Sequence, residues 1–224
     1  MINFQNIPPV TKNLIILNVV VFVLQNFIPD FTFNFALHFF KSPDFQPYQL
    51  ITHMFMHGGF THLLFNMFGV YMFGSAIESK LGDKKFLLFY LITGFGAVVL
   101  HMGSQMLENH EMVNQLNVWY AEARISDQQL SNGYYNTFNI TVGASGALFG
   151  LLTAFGLLFP NQQIFLMFIP VPIKAKYFVL LYAGYELFQG LQGSPGDNIA
   201  HFAHLGGALF GLLIIKEWKK KNLI

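Results

Sequence analysis

The sequence predicts an all-α, polytopic membrane protein with six transmembrane helices. Its 224 residues are 54% hydrophobic and 10% charged, whereas soluble domains carry about 25% charged residues. Six apolar runs of nearly membrane-spanning length alternate with polar segments. The runs are approximately residues 14–28, 60–77, 86–102, 142–159, 177–191 and 199–215. Because several runs are short for a bilayer, we expect neighbouring residues to extend them, or helices to begin below the membrane surface.

The composition also excludes several classes of site. The net charge of +1 gives no reason to expect nucleic-acid binding. The absence of cysteine excludes a disulfide framework and a thiolate site. No internal repeat is visible, so the sequence predicts one domain over residues 1–224, with a core of about residues 12–215 and a polar outer-loop insertion of about residues 103–139.

Basic residues predict the orientation of the spans. Lys12 precedes the first span, and further lysines lie between the second and third, before the fifth and after the last, whereas the alternate loops carry only Lys41 and Arg124. By the positive-inside rule, both termini are cytoplasmic and the first, third and fifth loops face outward. The start of the chain lacks the pattern of a secretory or transit peptide, which favours a bacterial cytoplasmic (inner) membrane.

Two outer loops have predicted local structure. Residues 29–59 mix aromatic residues with proline and glycine, which indicates an interfacial segment. In the third loop, "QMLENHEMVNQLNVWYAEA" predicts an exposed amphipathic helix. We expect a turn after it at Ser131, Asn132 and Gly133, because Ser, Asn and Gly are common turn residues.

Polar residues inside three of the spans are functional hypotheses, because burying them in a membrane is unfavourable. His62 and Asn66 in the second span are four residues apart and share a helix face. Ser145 opens the fourth span, and His201 and His204 open the sixth. These three spans run in the same direction in the predicted topology, so their polar groups lie at one depth near the outer surface.

Glycines are expected to bring two of these spans together. Gly146 and Gly150 form a small-residue face on the fourth span, and Gly207 and Gly211 form another on the sixth. Such faces let helix backbones approach closely in lipid. The approach would draw Ser145 towards His204. A serine at a helix start also lies beside unpaired N–H groups that favour a developing negative charge.

Three motifs resemble those of a known family. "GASGALFG", "AHLGGALFG" and "HGGFTHLLFN" are similar to the GxSGxxxG, AHxxGxxxG and HxxxxHxxxN motifs of the rhomboid intramembrane serine proteases. They occur in the family's order and at matching spans. The resemblance therefore implies a six-helix rhomboid-like bundle. The Trp-Arg pair that many rhomboids carry in the first loop stands here as Tyr48-Gln49.

The resemblance also implies roles for individual residues. Ser145 matches the nucleophile and His204 the general base, because His204 has glycines three and seven residues later. His62, Asn66 and the backbone N–H of Ser145 match the oxyanion hole. Gly143 and Phe149 match residues that support the active site. Phe149 corresponds to the aromatic residue that packs on the ring of the general base. The implied substrates are single-pass transmembrane proteins in the bilayer, cut near the outer face. We expect the Gly- and Pro-rich loop that follows the fifth span of this chain to act as a lid over the site.

The carboxylates have expected roles outside the chemistry. No acid is well placed to complete a triad, and Asp197 is too near the outer surface, so we expect a Ser-His dyad. Glu78 resembles a structural anchor. Glu186, in the fifth span, is expected to hydrogen-bond within the bundle rather than to relay protons.

Other readings of the same residues remain open. His53, His57 and His201 are expected to be structural. We expect no cofactor and no metal, because the sequence has no HExxH, no cysteine and no carboxylate beside these histidines. A catalytically silent rhomboid-like protein that binds membrane clients is one alternative function. A histidine-lined proton or metal transporter is another, although "MFGVYMFG" below Asn66 offers no polar path.

Overall fold

The computed structural model describes residues 7–138, 140–166, 169–192 and 200–224, and these are mostly helical. The helices are α1 (Pro9–Phe27), α2 (Phe31–Phe35), α3 (Gln49–Thr52), α4 (Phe60–Gly69), α5 (Ser75–Leu81), α6 (Asp83–Glu108), α7 (His110–Ala121), α8 (Asp127–Phe138), α9 (Ser145–Leu158), α10 (Ala175–Gln192) and α11 (His201–Lys220). A 3₁₀ turn (His53–Phe55) precedes α4, and a π-helical turn (Val70–Gly74) joins α4 to α5.

Among the described residues, each of the six predicted apolar runs is mostly helical. The second run covers α4, the π-helical turn and α5, and the fourth begins three residues before α9. Among the described residues, three helices are long and apolar enough to cross a membrane, Pro9–Phe27, Phe60–Leu81 and Asp83–Glu108. The helix Ser145–Leu158 is apolar but has only 14 residues, about 21 Å at 1.5 Å per residue. Because a hydrocarbon core is about 30 Å thick, this helix is too short to cross it alone. The count of six spans stays a prediction.

Helices α6, α9 and α11 pack together through glycines. A Cβ on Gly207 would collide with the carbonyl oxygen of Gly146. A Cβ on Gly211 would lie 2.9 Å from the carbonyl oxygen of Gly150. The predicted contact between the two small-residue faces is therefore confirmed, and the closeness of α9 and α11 depends on the missing side chains.

A buried carboxylate ties α1 to α5. Glu78 is 1% exposed and accepts hydrogen bonds from the backbone N–H groups of Val10 at 2.8 Å and Thr11 at 2.7 Å. It also accepts one from the Thr11 hydroxyl at 2.7 Å. The first N–H groups of a helix have no partner within the helix, so Glu78 satisfies them from outside. Its expected role as a structural anchor is confirmed.

The first loop is organised around the side-chain amide of Gln49, which is 1% exposed. The amide nitrogen donates to the carbonyl oxygens of Asn34 and Asp44, both at 3.1 Å. The amide oxygen accepts from the backbone N–H groups of His38 at 3.3 Å and Gln46 at 3.1 Å. The neutral side chain of Gln49 thus joins separate parts of this loop.

The insertion in the third loop is a helical hairpin of α7 and α8. Most of the expected helix is present as α7, which buries Val113 and Leu116 on one side, whereas its first residues, 105–108, belong to α6. The expected turn at Ser131, Asn132 and Gly133 is wrong, because these residues lie inside α8. A Cβ on Gly133 would lie 2.6 Å from Leu116 Cδ2, so this glycine permits close packing of the two helices. The chain instead turns near Ala123, whose φ is 54°.

The hairpin is docked on the first loop. Phe39 stacks on Phe138 of α8 with ring centroids 3.9 Å apart and ring planes 7° apart. The Ser131 hydroxyl donates to the carboxylate of Asp44 at 2.5 Å. Both contacts join residues that are far apart in the sequence, so the insertion is attached to the body of the protein.

The prediction of an all-α fold misses one small sheet. Strand β1 (Gln163–Leu166) pairs antiparallel with β2 (Ile169–Lys174), between α9 and α10. The segment "QIFLMFIPVPIK" is rich in isoleucine, valine and phenylalanine, which favour strands. The segment is too short to be a transmembrane span, and the strand propensity of its residues decides its local structure.

Candidate active site

Ser145 and His204 meet across the contact between α9 and α11. Ser145 is the first residue of α9, and His204 lies in the first turn of α11. The Ser145 Oγ lies 2.9 Å from His204 Nε2, so the hydroxyl can donate a hydrogen bond to this nitrogen. The glycine contacts described above hold the two helices close enough for this bond.

The ring of His204 is packed against Phe149, one helical turn after Ser145. The two rings are stacked, with centroids 4.2 Å apart and planes 7° apart. This is the contact that the resemblance implies for Phe149. The stacking restricts rotation of the imidazole, whose tautomer and direction matter for any proton transfer.

The side chain of His62 lies near Ser145. The backbone N–H of Gly58 donates to His62 Nδ1 at 3.3 Å, which places the ring proton on Nε2 when the ring is neutral. A Cβ on Gly143 would lie 3.0 Å from this Nε2 and 3.6 Å from Ser145 Oγ. The His62 donor and the serine hydroxyl therefore border the same space.

Gly143 is required by both backbone and packing. Its φ is 129°, a conformation that residues with a side chain rarely adopt. A Cβ there would also lie 2.9 Å from His62 Cε1. The Gly143 N–H donates to the carbonyl oxygen of His53 at 2.9 Å, which fixes the segment just before Ser145.

Asn66 lies one turn below His62 on the same helix face. Its amide nitrogen donates to the carbonyl oxygen of His62 at 2.9 Å, and a second N–H remains on that nitrogen. One cavity of about 1290 Å³ is lined by Asn66, His62, Ser145 and His204. The structure thus brings together the four side chains that the motifs singled out for chemistry.

A buried acid also contacts His204, and the expectation that no acid is well placed is wrong. Glu186 of α10 is 2% exposed, and its Oε2 lies 2.9 Å from His204 Nδ1. The same oxygen lies 2.6 Å from His201 Nδ1. The expectation that Glu186 hydrogen-bonds within the bundle is confirmed. The sequence signal was a lone carboxylate in the apolar run 177–191, which needs a partner in a membrane.

The same three side chains form a possible metal-ligand set. Ligand atoms of Glu186, His201 and His204 lie within 4.8 Å of one another. The expectation that no carboxylate lies beside these histidines is therefore wrong, because the neighbouring helix α10 supplies Glu186.

The chain matches a family model over most of its length. The model for the Rhomboid domain matches residues 44–217. The chain belongs to the rhomboid family. With its apolar spanning-length helices, this member of the family is an integral membrane protein.

Several curated rhomboids are similar to this one. It is 31% identical over 169 residues to the rhomboid relative YdcA of Bacillus subtilis (strain 168), covering 75% of this chain and 65% of YdcA. It is 30% identical over 167 residues to the rhomboid protease AarA of Providencia stuartii, covering 72% of this chain and 52% of AarA. It is 29% identical over 204 residues to the mitochondrial RHOMBOID-like protein 12 of Arabidopsis thaliana, covering 89% of this chain and 55% of that relative. The matches span about half to two thirds of these relatives.

Two other histidines of this rhomboid lie in the first loop. His53 Nδ1 donates to the carbonyl oxygen of Gln49 at 2.7 Å, and burial lowers the pKa of His53 to about 4. Burial, with a contribution from nearby His62, lowers the pKa of His57 to about 4. Both rings are therefore neutral near pH 7, which agrees with their structural assignment. Asp197 and the Gly- and Pro-rich lid at residues 193–198 lie outside the described residues.

Proposed function

We propose that this rhomboid is an intramembrane serine endopeptidase. The observation that carries the proposal is the 2.9 Å contact between Ser145 Oγ and His204 Nε2. A serine hydroxyl is a weak nucleophile until an adjacent base takes its proton. In this family member the base is stacked on Phe149 and the serine opens a helix, so both reacting groups have fixed positions.

The proposed reaction is acyl transfer. As Ser145 Oγ attacks the peptide carbonyl carbon, His204 Nε2 takes the hydroxyl proton and then gives it to the departing amine. The acyl-enzyme is hydrolysed by water, with His204 acting as base again. The oxyanion of each tetrahedral intermediate accepts hydrogen bonds from the Ser145 backbone N–H, His62 Nε2–H and Asn66 Nδ2–H, each of which borders the same cavity.

The proposed substrates are single-pass transmembrane proteins, which reach the site sideways beside α10. A substrate helix must unwind there, because a helical carbonyl is already hydrogen-bonded and screened. The packing of α10 supports this route. Among the described residues of this helix, the buried ones are Ala175 and Glu186. Leu180, Leu181 and Leu191 are 70%, 69% and 72% exposed. A helix with so little buried surface can move aside at a low free-energy cost.

The proposed orientation places the site near the outer face of a bacterial inner membrane, with both termini in the cytoplasm. Lys219 Nζ donates to the carbonyl oxygen of Leu157, at the end of α9 opposite Ser145, with a distance of 2.9 Å. The lysine-rich end of α11 and the reactive serine therefore lie at opposite ends of the bundle. The positive-inside rule assigns the lysine-rich end to the cytoplasm.

Labelling by a fluorophosphonate, which reacts with activated serines, tests the proposal. Purified protein in lipid bilayers should label, whereas Ser145→Ala and His204→Ala should not. Ser79→Ala and His110→Ala are matched controls at exposed positions away from the cavity, and both should label as the unmodified protein does. If the folded, unmodified protein stays unlabelled, the proposal is wrong, and a client-binding role or a transporter takes its place.

A further inference from the structure

We propose that Glu186 is a positioning residue for His204, so that the reactive unit is a Glu-His-Ser triad rather than a dyad. This inference rests on the proposed function. Its physical basis is the line of contacts from Glu186 Oε2 to His204 Nδ1 at 2.9 Å and from His204 Nε2 to Ser145 Oγ at 2.9 Å. A carboxylate and a hydroxyl thus contact the two nitrogens of one imidazole.

The two contacts together define the tautomer of His204. A carboxylate has only acceptor oxygens, so the Nδ1 that faces Glu186 must carry a proton. In the neutral ring the other nitrogen, Nε2, is then the acceptor, and it is the nitrogen that faces Ser145. The opposite tautomer would direct an N–H at the serine oxygen and would leave the hydroxyl proton without an acceptor.

Glu186 also stabilises the charged ring that proton transfer creates. When His204 takes the proton of Ser145, the imidazolium lies beside a carboxylate that is 2% exposed. Electrostatic interactions are stronger away from water, so the pair favours the protonated state that forms in the transition state. The proton of Ser145 stays on His204, and Glu186 gains none.

His201 holds the same carboxylate oxygen from the side. Its Nδ1 lies 2.6 Å from Glu186 Oε2, and its ring is nearly perpendicular to that of His204, at 86°. His201 and His204 are three residues apart on α11, so both project from one face of the helix. A carboxylate oxygen with two lone pairs accepts hydrogen bonds from the Nδ1–H groups of both His201 and His204. These two bonds fix the orientation of the Glu186 carboxylate.

The distances favour hydrogen bonds over a metal ion among these three side chains. Zinc takes nitrogen and oxygen ligands at about 2.0–2.2 Å, which keeps tetrahedral ligand atoms roughly 3.3 Å apart. The carboxylate oxygen is 2.6 Å from His201 Nδ1 and 2.9 Å from His204 Nδ1. Both separations are those of hydrogen bonds between a charged acceptor and an N–H donor.

The rate constant of fluorophosphonate labelling measures the effect of the carboxylate. Glu186→Gln should label about 100-fold more slowly, within the range of general-base contributions. Glu186→Asp, which retains the charge, should label faster than Glu186→Gln. Glu78→Gln is the matched control, because Glu78 is as deeply buried but touches α1 rather than the site. Its folded fraction should label at the unmodified rate.

A spectroscopic readout separates positioning from a general loss of structure. In ¹⁵N-histidine-labelled protein, the nitrogen resonances of His204, assigned with His204→Gln, should report a protonated Nδ1 and an unprotonated Nε2. In folded Glu186→Gln this single tautomer should give way to a mixture, whereas Glu78→Gln should retain it.

The outcomes distinguish this inference from the proposed function. If the unmodified protein labels and folded Glu186→Gln labels at the same rate with the same His204 tautomer, the positioning role is wrong and the dyad stands. If EDTA abolishes labelling of the unmodified protein and Zn²⁺ restores it, the three side chains hold a metal and the Glu-His-Ser triad is wrong. If the unmodified protein does not label at all, the proposed function itself fails.

Discussion

Phe149 lies parallel to the ring of His204, with the ring centroids 4.2 Å apart. Phe149 follows Ser145 by one helical turn, so the helix that carries the serine also carries the surface against which the base rests. The four-residue spacing of Ser145 and Phe149 on one helix therefore links the position of the nucleophile to the position of the ring of the base. Four predictions follow from this and related contacts, in addition to the tests described above.

Replacing Phe149 with leucine should slow fluorophosphonate labelling about 2- to 10-fold. An aromatic pair contributes about 0.5–1.5 kcal/mol beyond its burial, and losing it frees the imidazole to rotate. Phe155→Leu is the matched control on the same helix, because Phe155 packs against Phe73 and Phe159 instead. Equal rates for the folded fractions of Phe149→Leu and Phe155→Leu would contradict the prediction.

Replacing Gly207 with alanine should separate α9 from α11. The new Cβ would collide with the carbonyl oxygen of Gly146, so we expect a loss of about 1–3 kcal/mol in the free energy of unfolding, as for other overpacked sites. Labelling of the remaining folded protein should also fall, because Ser145 moves away from His204. Thermal unfolding in detergent measures the first effect. Gly184→Ala, where a Cβ meets nothing within 4 Å, should lower neither quantity, because alanine favours a helix more than glycine does.

Removing either side-chain donor of the proposed oxyanion hole should slow labelling without unfolding the protein. His62→Ala and Asn66→Ala should each reduce the labelling rate about 100- to 1,000-fold, the usual effect of losing one such donor. Leu64→Ala is the control, since Leu64 is 52% exposed on the same helix. A normal rate in folded Asn66→Ala would remove Asn66 from the oxyanion hole and leave the other donors in place.

Replacing Phe39 with alanine should loosen the helical hairpin of α7 and α8. The change removes the ring stack on Phe138 and should increase hydrogen exchange of the backbone N–H groups in α8. Exchange in α9 should stay the same, because α9 packs on α6 and α11. Phe188→Ala is the control, since Phe188 is 58% exposed on α10. Slow exchange in α8 of the Phe39 variant would show that other contacts suffice to dock the hairpin.

Much of the helical framework could be predicted from the sequence, because hydrophobicity and small-residue spacing are local signals. The described residues of the six apolar runs are mostly helical, and the glycine faces on α9 and α11 meet. The motifs that contain Ser145 and His204 are equally local, since each is read within about ten residues. These signals require no knowledge of how one helix is rotated against another.

The contact between Glu186 and His204 depends on that rotation and could not be predicted in the same way. The two residues are 18 positions apart on different helices, and nothing in either helix alone specifies which faces meet. The expected turn at Gly133 failed for a related reason. A glycine that favours turns in isolation lies inside a helix here, because its missing side chain makes room for Leu116.

The two buried glutamates have a mechanical consequence. The inner helices α6, α9 and α11 touch along extended backbone surfaces, so any tilt between them would break many contacts at once. In contrast, Glu78 joins α1 to α5 and Glu186 joins α10 to α11, each through the hydrogen bonds of a single carboxylate. Movement of α10 away from the bundle would therefore act on the orientation of His204, and the base would be aligned only while the contact with Glu186 holds.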